Sequence, residues 1–295
     1  MARPSLRLAG NAPGPFYVDS SCIDCGTCWQ WDPDHFAPTG SSSQVSHQPV
    51  GAAETRRALE ALQACPVAAI GAPRQVLAQT PADAFPALLT EHPAGAVHYC
   101  GWASRRSFGA SSYLVVRAGG NVLIDSPRFN AQLARRIAAL GGLAAIVLTH
   151  RDDVADHDRW AGHFGAPRWI HAADADAAPD AEHRVMGAAP VDLDADLRLI
   201  PTPGHTAGSM VALLGEQILF SGDHLWWNPA HRALVASRTF CWWDWPTQLA
   251  SVERLADLDV RWLLPGHGGR HRFEAGGWAT AIAATLAEAG RHGRS

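Results

Sequence analysis

Three cysteines stand within seven residues, Cys22-Ile-Asp-Cys25-Gly-Thr-Cys28, and a fourth, Cys65, is followed directly by Pro66. Four thiolates in a C-x2-C-x2-C run plus a distant C-P suit a cubane iron–sulfur cluster. The middle ligand, Cys25, favours 4Fe–4S over 3Fe–4S, and Gly26 supplies the turn that such wrapping needs. A structural zinc knuckle is the competing use of four thiolates. A second group of residues is spread over five short segments. These are Thr149-His150-Arg151-Asp152-Asp153, Asp156-His157, Pro203-Gly204-His205-Thr206, Ser221-Gly222-Asp223-His224 and Pro265-Gly266-His267-Gly268. Neutral imidazoles and carboxylates are what zinc, iron or manganese accept.

Elements of two different kinds must position these groups. Residues 53–64 place Ala58, Leu59 and Leu62 on one side of a helix that ends at Pro66, beside Cys65. Prolines 73, 81, 86 and 93 then mark a linker. Beyond it the pattern becomes alternating strands and helices. Strands are expected over 112–116, 121–125, 145–149, 168–171, 197–200, 210–214, 217–221 and 260–264, with helices over 130–140, 156–164 and 248–258. The His- and Asp-rich segments follow strands or open helices, where strand-end loops converge. The division expected is 1–78 for the cluster domain, 79–95 for the linker and 96–295 for the second domain.

The amino-terminal motif resembles single-cluster bacterial ferredoxins, over about 60 residues. The His/Asp segments resemble the metallo-β-lactamase superfamily, over residues 96–269. The surroundings of His205, Thr-Pro-Gly-His-Thr-Ala-Gly-Ser, are most similar to its glyoxalase II and persulfide dioxygenase branches. The resemblance implies an α/β fold, an αββα sandwich preceded by a small α+β ferredoxin-like domain. It also implies the ligands: His150, the pair Asp156 and His157, His205, the bridging carboxylate Asp223, and His267. The usual Thr-His-x-His-x-Asp-His is altered, because Asp156-His157 falls two residues late. Counted from His150, Asp152 takes the second-His position, with Asp153 the competing choice. A carboxylate there shifts preference from zinc towards iron or manganese.

The cofactors expected are therefore one 4Fe–4S cluster and one or two divalent metals, zinc, iron or manganese. A metal pair lowers the pKa of a bound water towards ~7, so that hydroxide can attack an ester, thioester or lactam-type carbonyl. Asp156 is the expected catalytic group, orienting the nucleophile or carrying the proton to the leaving group. The rival is a non-haem iron oxidoreductase fed with electrons by the cluster, with a redox partner in addition to the small-molecule substrate. Residues near the site also have plainer readings. His163, His171, His224 and His231 are expected as surface or hydrogen-bonded histidines. Trp226, Trp227, Trp242, Trp243 and Trp245 are expected to pack, Cys100 and Cys241 to be small buried residues, and Arg105-Arg106 to be solvated.

Composition narrows the classes. All 24 basic side chains are Arg, so lysine Schiff bases and P-loop lysines are excluded. A net charge of −4 does not suit phosphate-backbone binding, and nucleic acid is not an expected partner. No apolar run approaches the ~20 residues of a membrane span. Nor does the amino end carry the ~7–15 apolar residues of a secretory signal. A cytoplasmic protein without a membrane partner is the expectation.

Overall fold

The computed structural model describes residues 2–292. In the amino-terminal unit, the strand Tyr17–Val18 pairs antiparallel with Ile70–Gly71, which brings the loop 22–28 beside the end of the helix Gly51–Ala64. That helix buries Ala58, Leu59 and Ala61 and stops at Cys65, since the following Pro66 cannot continue it. The short helix Thr27–Trp31 starts at Gly26, whose φ of 80° only glycine adopts without strain. Trp31 joins the two helices, donating from Nε1 to Glu60 (3.2 Å) beneath the guanidinium of Arg57. A hairpin of Phe36–Pro38 with Ser43–Val45 completes this α+β unit.

The remainder is two sheets packed face to face between helices. The first has seven strands. Ala87–His92, Gly95–Tyr99, Tyr113–Val116 and Val122–Ile124 form an antiparallel meander, continued in parallel by Ala145–Val147, Arg168–His171 and His183–Val185. The second runs Val191–Asp192, Leu197–Pro201, Met210–Leu214, Ile218–Gly222, Trp262–Pro265 and His271–Arg272. Met210–Leu214 and Ile218–Gly222 are buried on both faces, because one face meets the first sheet and the other meets the outer helices Trp245–Arg254 and Gly277–His292. Met210–Leu214 reads as an unbroken apolar run for that reason, and Ile218–Gly222 is apolar up to Ser221. The strands expected from sequence are present within a few residues. The helix Gly277–His292 and the hairpin Trp226–Asn228 with Ala233–Val235 were not anticipated.

The expected linker differs. Residues 87–92 form the edge strand of the first sheet, so the prolines at 81, 86 and 93 flank a strand rather than mark a flexible segment. Nor are the two units separate in packing. Trp31 packs edge-on against Phe85 (5.3 Å) and tilted against Tyr99 (5.2 Å), and one continuous core runs from Phe36 and Leu59 to the inner faces of both sheets. Among the described residues, no helix is long and apolar enough to cross a membrane.

Candidate metal centre

Strand ends deliver the candidate ligands to one edge of the sandwich. His150 follows the strand Ala145–Val147, His205 follows Leu197–Pro201, Asp223 follows Ile218–Gly222 and His267 follows Trp262–Pro265. The edges are fastened to each other by Met210 N–H donating to Thr149 O (2.8 Å) and Tyr113 hydroxyl donating to Pro265 O (2.7 Å). Ligand atoms of His150, His205 and Asp223 lie within 4.8 Å of one another, as do those of Asp153, Asp223 and His267. Asp223 thus belongs to both sets. Asp152 Oδ2 stands 3.5 Å from His205 Nε2 and 4.0 Å from His150 Nε2, which adds it to the first.

Both adjacent carboxylates therefore reach the centre, where the register from His150 allowed only one. The reason is local: Arg151–Asp153 is a 3₁₀ turn rather than an extended segment. Neighbours on such a turn are separated by ~120° instead of the ~180° of a strand, so Asp152 and Asp153 can flank one point. Room for them comes from Gly266. A Cβ there would stand 2.6 Å from Asp153 Oδ2 and 2.8 Å from Asp223 Oδ1.

The surrounding shell orients the imidazoles. Asp125 accepts from Thr149 N (2.8 Å) and Thr149 Oγ1 (2.9 Å), and Thr149 Oγ1 lies 3.1 Å from His150 Nδ1. With its own proton given to Asp125, that hydroxyl accepts from Nδ1–H and leaves the Nε2 lone pair of His150 facing the centre. His205 is fixed likewise, Nδ1 lying 2.6 Å from Phe240 O. Burial pushes His150 down to about 4, against the pull of Asp223, so it stands as a neutral imidazole. Burial opposes charge on His267 too, but Asp223 beside it overcomes this and pushes the imidazole up to about 10. Despite burial, His267, His150 and His205 together hold the Asp223 carboxyl well below the usual range. Burial, with Asp223 adding, raises Asp153. The Nε2 atoms of His150, His205 and His267 and both carboxylate oxygens of Asp153 are buried without a hydrogen-bond partner. Buried polar atoms are normally paired, and these converge on shared points. Imidazole nitrogens and carboxylate oxygens in this arrangement fit divalent metal, with Asp223 common to both sets of donors.

Asp156 and His157 are not brought to this cluster, which corrects the ligand pair implied by the family motif. Ala155, at φ 35°, swings the chain away into the helix His157–Phe164. Asp156 Oδ2 accepts from Phe129 N (2.8 Å) and Oδ1 from Arg106 (3.2 Å), while His157 Nδ1 lies 3.5 Å from Arg168. Asp156 instead holds Arg106, which lines the cavity above the centre. Sequence reasoning passed over Asp125, and it set Asp153 against Asp152 rather than beside it. Asp125 carried a usable signal, an acid directly after a strand, like the ligands themselves.

That cavity holds about 830 Å³, ordinary for a small-molecule site. Asp152, Asp153, His205, Asp223 and His267 line it, together with Phe108, Trp226, Phe240 and Trp242. The tryptophans do not pack as a group: Trp242 and Trp243 are 63% and 54% exposed, whereas Trp227 stacks on His271 at 3.6 Å. His224 is buried with neither ring nitrogen partnered among the described residues.

In the amino-terminal unit the four expected thiols share one neighbourhood. Burial pushes Cys25 up to about 11, with Cys65 and Cys22 adding to the effect, and burial likewise raises Cys28 and Cys65. Backbone N–H groups of Ser43 and Ala69 point at Cys22 and Cys65 sulfurs, each 3.3 Å away. Buried thiols that repel one another as thiolates, with amide donors aimed at them, fit a cationic iron core.

Residues 18–72 match the family described as the 4Fe-4S single cluster domain of Ferredoxin I, and residues 105–267 match the metallo-β-lactamase superfamily. A hydroxyacylglutathione hydrolase of Acidiphilium cryptum (strain JF-5) is 33% identical over 161 residues, covering 53% of this chain and 63% of that protein. A β-lactamase-like protein 2 homolog of Caenorhabditis elegans is 26% identical, covering 54% of this chain and 56% of its own. The chain thus spans less than two thirds of either relative. Among solved structures, DIM-1 metallo-β-lactamase exposed to ceftazidime superposes with a TM-score of 0.51 at 16% identity, covering 70% of this chain and 96% of that one. A metallo-β-lactamase from Erythrobacter litoralis gives 0.51 at 19%, covering 68% and 96%. Both likenesses concern the fold.

Proposed function

The chain belongs to the metallo-β-lactamase superfamily and carries a 4Fe–4S ferredoxin domain at its amino end, and from that premise we propose that it hydrolyses an acyl thioester or ester. The observation carrying this reading is the set of unpartnered donor atoms around Asp223 at the floor of the cavity. His150, Asp152, His205 and Asp223 would hold one metal; Asp153, Asp223 and His267 would hold the other. A metal pair supplies an acidified water and a Lewis acid for the carbonyl oxygen.

The chain's own groups do the rest. Asp125 and Thr149 keep His150 in the tautomer that leaves Nε2 free, and the Phe240 carbonyl does so for His205. Asp152 is the carboxylate on the open side, its side chain 44% exposed. Hydrogen bonding to His205 and its burial pull in opposite directions, and the bond prevails, so the Asp152 carboxyl stays below its usual range and ionised. Arg106, braced by Asp156, offers a guanidinium to an anionic part of the substrate. The Acidiphilium relative's name points to a thioester.

The test uses anaerobically purified protein carrying its cluster. A hydroxyacylglutathione thioester, an aryl ester and a β-lactam are offered, and metals are counted by mass spectrometry. Thioester or ester hydrolysis that is lost in His205→Ala and Asp153→Ala supports the reading. Two irons beyond the cluster, together with no hydrolysis of any of the three, would overturn it in favour of redox chemistry.

A further inference from the structure

The cavity above the metal centre is not walled by the sandwich alone. Asp24, Cys25, Trp29 and Gln30 of the amino-terminal unit line it as well. One residue that would ligate the cluster is therefore on the wall of the cavity that contains the His/Asp centre. Three contacts hold the loop there. Thr27 Oγ1 donates to Gly109 O (3.0 Å). Gly109 sits so close that a Cβ would meet Cys25 Sγ at 2.8 Å. The Gln30 amide, oriented to satisfy both groups, donates to Gly268 O (2.9 Å) and accepts from Gly268 N (3.2 Å).

The sandwich contributes aromatic rings to the same cavity. Phe240 and Trp242 are 53% and 63% exposed, yet their backbone is pinned to a candidate ligand, Trp242 N donating to His205 O (2.9 Å). Large apolar rings fixed in the open beside a polar centre mark a binding surface. Trp29 is the ring that the cluster unit adds.

We propose that the cluster-bearing loop is the specificity wall of this site, and that the substrate is an acyl compound with a flat apolar body. That body packs on Trp29 and Trp242 while the carbonyl faces the His/Asp centre. The proposal deepens the hydrolase reading and rests on it. It has a consequence for the cluster. A body seated against Cys25 removes water from that side, and solvent exposure is one of the factors that set cluster potentials. Loss of water disfavours the more highly charged form, which is the reduced one. Occupancy therefore lowers the midpoint potential, and by reciprocity the oxidised protein binds the occupant more tightly by the same factor. A fivefold affinity ratio corresponds to about 40 mV at 59 mV per decade for one electron.

The probes are 2-naphthoate and acetate, carboxylates that cannot turn over, titrated calorimetrically into the anaerobic holoprotein. Naphthoate should bind at least tenfold more tightly than acetate. Trp29→Ala should lose that preference while acetate affinity stays within twofold, and Trp29→Phe should recover it. Retained cluster absorbance checks that the Ala variant is folded. Trp242→Ala, altering an exposed ring, should show the same loss. Naphthoate should also lower the cluster midpoint potential by tens of millivolts in the unaltered protein and not in Trp29→Ala. Naphthoate affinity within twofold of the unaltered protein in either Ala variant would overturn the proposal. Failure of the hydrolase reading is visible separately, as Trp29-dependent naphthoate binding without any turnover of a 2-naphthoyl thioester or ester.

Discussion

Asp152 and Asp153 are neighbours with opposite electrostatic fates. Asp152 is half-exposed and held ionised by His205, while Asp153 is buried and its carboxyl is raised by burial and by Asp223. They belong to different halves of the proposed pair, so each substitution has its own expected loss. Asp153→Ala should empty the metal position shared by Asp223 and His267, and Asp152→Ala should weaken the one shared by His150 and His205. Metal content by mass spectrometry checks both. Asp156→Asn should keep both metals, since its carboxylate binds Phe129 N and Arg106 instead. Its cost is in folding, about 1–3 kcal/mol for disturbing a buried hydrogen-bonded carboxylate, read from denaturant unfolding. Thr27 supports a prediction at the other centre. Its hydroxyl lies 3.2 Å from Cys25 Sγ as well as reaching Gly109 O. The one hydroxyl proton goes to Gly109 O, which ties the cluster loop to the sandwich. Thr27→Val should therefore keep the cluster but cost about 1–3 kcal/mol of stability, read from denaturant unfolding, and Thr27→Ser should restore it.

Two helices make a controlled comparison at the scale of elements. Asn130 caps Ala131–Ala139, accepting from Gln132 N (2.8 Å), and Asp244 caps Trp245–Arg254, accepting from Thr247 N (2.8 Å). Either residue changed to Ala should cost about 1 kcal/mol of stability. Only the second helix is tied to the site. Asp244 N donates to Gly204 O (3.0 Å), beside His205, and the segment leading into that helix carries Phe240 and Trp242. Asp244→Ala should therefore raise KM severalfold for the substrate found active, and Asn130→Ala should leave it unchanged. Equal KM values in both variants would separate that helix from substrate binding.

At the scale of the whole molecule, the ferredoxin unit and the sandwich share one core. Trp31, Phe85, Tyr99 and Tyr113 form a chain of ring contacts of 5.2 to 6.3 Å, and Arg270 lies 4.1 Å over Tyr99 from the far sheet. Cooperative unfolding follows from a continuous core. Cys65→Ala should bleach the cluster absorption and also lower the melting temperature of the sandwich, monitored by an active-site metal chromophore such as cobalt. A sandwich that melts at the unaltered temperature without its cluster would show that the two units are energetically separate.

Chemistry carried by local spacing was legible in the sequence. Cys22, Cys25 and Cys28 must lie on one loop whatever the rest of the chain does, and Cys65-Pro66 must end a helix. His150, His205, Asp223 and His267 each follow a strand, and strand ends of a layered α/β fold meet at a common edge. What depended on backbone direction over two or three residues was not legible. A 3₁₀ turn at Arg151–Asp153 and a left-handed Ala155 decide that both Asp152 and Asp153 face the centre while Asp156 and His157 do not. Spacing cannot tell a turn that adds a ligand from one that removes a pair. The joining of the two centres was decided only by tertiary structure. Cys25 and His267 are far apart in sequence and share a cavity because Trp31 is buried against Phe85 and Tyr99, and burying such rings removes more apolar area than any local preference of the chain can offset.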